Sequence, residues 1–105
     1  VSAAHWVERH LAGSPPALRE VMLAALPGEA AGVPEALAEG ALTLYRAVLG
    51  GAGGREDALP LLAADALFTH ALEAAAERDP AGLAEFAERW GPAGRLAELA
   101  AERAS

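Results

Sequence analysis

Apolar residues recur along this chain at helical spacing, and prolines and glycines cut the pattern into segments. The first segment starts at Ser2, whose hydroxyl is suited to capping a helix, and runs to about Leu11, with Gly13 as its stop. Ser14 and Pro15 open a second helix, since proline fits a first turn where its missing N–H is not needed. Leu18, Val21, Met22, Ala25 and Leu26 then follow the i, i+3, i+4, i+7, i+8 pattern of a single amphipathic stripe, which Pro27 and Gly28 end. After a loop to Val33, Pro34 starts a third helix that runs to Gly50. It has two apolar rows, Leu37, Ala41, Leu44 and Val48, and beside them Leu42, Tyr45 and Leu49. An arc that wide must face two neighbours rather than one.

The glycine-rich stretch from Gly50 to Gly54 reads as a flexible connector. Asp57 or Leu59 begins a central helix, with Pro60 in its first turn, that continues to about Arg78. Leu61, Leu62, Leu67, Phe68 and Leu72 make this the expected centre of the fold. Asp79 and Pro80 repeat the cap-and-proline device and open a fifth helix, with Leu83, Phe86, Ala87 and Trp90 on its inner face. Gly91 and Pro92 break it, and a sixth helix carries Leu96, Leu99 and Ala100 toward Ser105. No segment alternates with period two, Ile is absent, and Val and Thr are sparse. The pattern predicts an all-α fold, a compact bundle of about five to six helices forming one domain over residues 1–105.

Composition sharpens this in one respect. The 53% hydrophobic content contains only 5% aromatics, so the core must be built mainly from Ala and Leu. Alanine allows close helix approach but buries little area, at about 25 cal/mol per Å². A chain of this size with a broad-faced third helix could recover burial by forming a homodimer. The absence of Lys, Asn, Gln and Cys fits a GC-rich or thermophilic source, and the lack of Cys removes disulfide and thiolate chemistry.

Charge narrows the partners. The formal net charge is −7, and the eight arginines stand singly along the chain rather than in a basic stripe. Nucleic acid and anionic membrane are therefore not expected as partners. Residues 1–12 contain Glu8, Arg9 and two histidines and no apolar signal core, and Asp65 interrupts an apolar run too short for a bilayer span. The expectation is a soluble, cytoplasmic protein.

Candidate chemistry concentrates on the central helix. Asp65, Thr69 and Glu73 recur every four residues, with His70 beside them. Asp65, Thr69, His70 and Glu73 are either a polar seam for a metal or small ligand, or the solvated edge of the helix. The His-then-Glu order reverses that of carboxylate-bridged sites in bundles, and no second such pair exists. Asp65 stands among apolar neighbours and calls for a partner, such as an arginine from another helix. Glu73 and Glu77 are like charges at i, i+4 that call for a nearby cation, with Arg46 one candidate. Trp6 and His10, at i, i+4, are set to stack, whereas His5 and His10 have the wrong spacing for joint metal coordination. Tyr45 and Trp90 fall on the apolar rows of their helices. The Gly50–Gly54 run lacks the preceding strand and Lys-Ser/Thr ending of a phosphate loop. Ser2 and Ser14 are accounted for as caps, so no nucleophile, base and orienting group come together, and neither enzyme activity nor a cofactor is expected.

The run Leu62-Ala63-Ala64-Asp65-Ala66-Leu67-Phe68-Thr69-His70-Ala71-Leu72-Glu73 resembles a core helix of polyprenyl diphosphate synthases, an all-α family. Catalytic members carry two aspartate-rich motifs for magnesium and diphosphate. This chain has no adjacent aspartates, so the resemblance implies at most a non-catalytic small subunit and transfers no catalytic residue. The expected function is interaction, either self-association or docking on a protein partner. The alternatives are an accessory subunit of a prenyl synthase, or a ligand- or metal-binding module centred on Asp65 and Glu73.

Overall fold

The computed structural model describes residues 2–28 and 32–104, apart from the side chains of Ala100, Arg103 and Ala104. Among the described residues the chain forms α1 (Ala3–His10), α2 (Pro16–Ala25), α3 (Val33–Leu49), α4 (Ala58–Arg78), α5 (Leu83–Trp90) and α6 (Arg95–Ala104). Short 3-10 turns over Arg55–Asp57 and Pro80–Gly82 lead into α4 and α5. No strand occurs among these residues, and the all-α bundle stands.

Local chemistry explains most of the boundaries. Ser2 Oγ accepts from the His5 N–H at 3.1 Å, capping α1 as its sequence position predicts. Ser14 does not cap. Pro15 takes the cap position of α2, with no side-chain bond, and Pro16 opens the helix. Arg19 instead reaches back to the end of α1, where its guanidinium donates to the carbonyls of Ala12 at 3.0 Å and Ser14 at 3.2 Å. Those carbonyls lie past the last helical turn, where a cation is favoured. Asp57 and Asp79 precede their helices without side-chain capping bonds, and Asp57 accepts from the Gly53 N–H at 2.9 Å. Gly53 has a φ of 77°, a conformation that glycine adopts without strain, and this is the turn that reverses the chain between α3 and α4.

The α3–α4 pair forms the frame. It is antiparallel: Glu35 meets Arg78, Gly40 lies against Leu67, and Tyr45 reaches Asp65. At Gly40 the helices approach so closely that an added Cβ would lie 3.1 Å from Leu67 Cδ1 and 3.2 Å from Leu26 Cδ2. The core joins Trp6 and Val7 of α1, Met22 of α2, Leu37, Ala38 and Ala41 of α3, and Ala63, Ala64, Leu67, Ala71 and Ala75 of α4 to Phe86, Trp90 and Leu99. Most of the wide apolar arc of α3 is covered inside the chain, by α4 on one side and by α1, α2 and α6 around it, while Leu49 at its end is exposed.

The central apolar run departs from its expected place. Leu67 is fully buried and Phe68 and Leu72 are partly so, but Leu61 and Leu62 face solvent. The inner face of α5 is as expected, with Phe86 and Trp90 buried and Leu83 and Ala87 partly so. In α6 Leu99 is buried and Leu96 partly buried, while the Ala100 side chain and Ser105 lie outside the described residues.

Candidate functional site

The four residues of the expected polar seam do not converge. Asp65, Thr69 and Glu73 are exposed on the outer side of α4, and His70 turns toward α1. Asp65 accepts a hydrogen bond from the Tyr45 phenol of α3, so its partner is a hydroxyl rather than an arginine. His70 Nδ1 pairs with Glu73 on its own helix, and its ring lies tilted against Trp6, with centroids 5.6 Å apart. No group of three or more His, Asp or Glu side chains placed to hold a metal ion occurs among the described residues.

Tyr45 is the most perturbed group among the described residues. Burial pushes its phenol above the ordinary range, and the hydrogen bond to the Asp65 carboxylate and its negative charge push in the same direction. The phenol thus stays protonated as a donor across the physiological range, tying α3 to α4. Arg46, a candidate cation for this region, is engaged elsewhere, 3.5 Å from Glu102 of α6.

At the opposite end of the α3–α4 pair, Glu35 accepts two bonds from Arg78, at 2.8 and 2.9 Å, while the Arg89 guanidinium stands 3.8 Å away. The Arg78 bond holds the Glu35 carboxyl below its usual range against an opposing contribution from burial. Glu35 begins α3 and Arg78 ends α4, so each also sits at the helix terminus that favours its charge. One and three turns further along α3, Glu39 pairs with Arg95 at 3.1 Å and Arg46 with Glu102. Glu35, Glu39 and Arg46 therefore form a ladder that holds α4, α5 and α6. The i, i+4 spacing of Glu35 and Glu39 marks the row in sequence, but the arginines that meet it come from 43 to 56 positions away.

A groove of about 510 Å³ opens beside this ladder, between Trp6, Arg9 and His10 of α1 and Val33, Pro34, Ala74 and Arg78. Its aromatic wall is already occupied: His10 stacks on Trp6, with centroids 3.9 Å apart and planes at 10°, as the i, i+4 spacing predicts. The Arg78 guanidinium is committed to Glu35. The groove brings together no nucleophile and base.

The exposed leucines at one end of the α3–α4 pair are a feature that sequence reasoning missed. Among the described residues the large exposed hydrophobics are Leu49 at 39%, Leu59 at 37%, Leu61 at 42% and Leu62 at 55%. All four lie at one end of the α3–α4 pair. Since Tyr45 meets Asp65, antiparallel packing places Leu49 at the level of Leu61 and Leu62. Along the outer side of α4, Ala58, Leu62, Asp65, Thr69, Glu73 and Ala76 recur at spacings of three and four, and all but the half-buried Ala76 are exposed. Residues 55–78 are long and apolar enough in composition to cross a membrane, yet their most apolar 18-residue window is only 33% buried within the molecule. The bundle covers one side of α4, and the outer side carries Asp65, Thr69 and Glu73 as well as Leu62. Comparison with protein-family models, curated proteins and solved structures finds no match to this chain.

Proposed function

We propose that this protein is a non-catalytic helical interaction module whose docking surface is the outer face of α4 around Leu62. The observation that carries this reading is the segregation of exposed leucines: Leu49, Leu59, Leu61 and Leu62 occupy one end of one helix pair. Scattered exposed leucines need no explanation, but a patch of them does. The chemistry elsewhere favours binding over turnover, because Asp65, His70, Glu35 and Arg78 are each held by a structural partner.

The test compares the wild-type chain with Leu61→Gln/Leu62→Gln, each purified from cells of the source organism under native conditions. The wild type is expected to retain a stoichiometric companion, or a second copy of itself, that the double variant loses. Both chains should melt within a few degrees of each other, since the substituted side chains are largely solvated. An identical monomeric state for both chains refutes the reading.

A further inference from the structure

We infer that α6 is a salt-sensitive strap over Trp90: it lifts off as one unit, about the connector at residues 91–94, while the other five helices stay packed. Two independent observations carry this. The first is how little holds the helix. Of the α6 side chains described, Leu99 alone is buried, Arg95 and Leu96 are half-buried, and Ala97, Glu98, Ala101 and Glu102 are exposed. The shorter α5 buries both Phe86 and Trp90, with Leu83 half-buried. One buried leucine is a small apolar contribution for a whole helix, and such elements open at low cost. The polar fastenings are equally open to water. Arg95 meets Glu39 through one contact at 3.1 Å, with side chains 39% and 37% exposed, and Arg46 meets Glu102 at 3.5 Å, with side chains 59% and 61% exposed. The Glu35–Arg78 pair between α3 and α4 is by contrast two-pronged, at 2.8 and 2.9 Å. Single, solvated ion pairs are weak and are screened by salt.

The second observation lies underneath the strap. Trp90 is 6% exposed, and its indole Nε1–H is buried without an acceptor among the described residues. The guanidinium of Arg95, the first residue of α6, stands over the Trp90 ring, 5.0 Å from its centroid. A buried donor left unpaired costs free energy in the closed state, and that cost is recovered when water reaches it. Lifting α6 takes Arg95 off the ring and opens the indole to water. The connector has a glycine at each end, Gly91 and Gly94, and is closed by the Gly94 N–H donating to the Gly91 carbonyl at 2.9 Å. Its glycines can absorb the change of direction that lifting requires. Exposure of Trp90 thereby becomes a function of ionic strength.

The test is hydrogen exchange of backbone amides and indole N–H groups, read by NMR on the full chain at about 0.05 and about 0.5 M sodium chloride. The amides of Glu98, Leu99 and Glu102 and the Trp90 indole are expected to share one opening constant. That constant should be about tenfold or more above that of the buried α4 residues Leu67, Ala71 and Ala75. The higher salt should raise it about threefold or more. Glu39→Gln/Glu102→Gln should raise it at low salt and remove most of the salt response. A gradient in which Glu102 opens while Glu98 and Leu99 stay closed is mere fraying and overturns the proposal. So does an α6 that opens only together with α4, a Trp90 indole that stays protected while α6 exchanges, or an opening constant indifferent to salt. Each of these outcomes is read on the wild-type chain, so the test stands even if the double variant misfolds.

Discussion

Tyr45 is where a single residue says most about how the bundle is held. It is the chain's only tyrosine, so its ionisation can be followed alone by near-ultraviolet absorbance. Burial is the largest cause of its raised pKa and the Asp65 bond the next, so the phenol should titrate well above the ordinary value of about 10. Asp65→Asn should lower that midpoint only part of the way, because the burial remains. A folded-state pKa raised in this way gives stability that is complete below the unfolded value and lost as pH rises through the folded one. Glu35 has the opposite sign. Its depressed pKa gives stability present above the unfolded value and lost as pH falls through the folded one. Because half of the Arg78 side chain is in solvent, Glu35→Gln should cost only about 1 kcal/mol near neutral pH. Denaturant unfolding near neutral pH and again at about pH 2.5 should show that difference shrinking with acid.

Among the elements, the helix starts were the most legible part of the sequence and the facing of α4 the least. Proline opens α2 and α3 because its fixed φ and missing N–H suit a first turn, and that signal is local. Ser14 misled because Pro15 itself occupies the cap position with no side-chain bond, and the Ser14 carbonyl accepts from Arg19, a contact no local rule supplies. Gly40 gave no signal in sequence, yet it sets the α3–α4 approach. Gly40→Val should therefore lower stability by about 2 kcal/mol, because the added atoms meet Leu67 and Leu26 at once. Gly13→Ala, with nothing within 4 Å of its added Cβ, should leave the melting temperature unchanged or slightly raised. In α4, leucine and alanine occur all round the helix, so periodicity could not say which leucines lie inside. Leu67 is buried and Leu62 exposed, although both belong to the same apolar run.

For the whole molecule, the fold class follows from composition and spacing, but the site does not. The candidate seam on α4 divides three ways once packed: Asp65 goes to Tyr45, His70 to Glu73 and Trp6, and Thr69 to solvent. What the packed bundle exposes instead is Leu49, Leu59, Leu61 and Leu62 at one end of its frame. The polar ladder of Glu35, Glu39 and Arg46 faces α4, α5 and α6 and is taken up in holding the bundle together. The most direct test of the docking face places a photoreactive residue at position 62 and, separately, at Glu85 on the exposed side of α5, in the chain expressed in its source cells. Irradiation should give a discrete adduct from position 62 and none from position 85. Adducts of equal yield from both positions, or none from position 62, would contradict it.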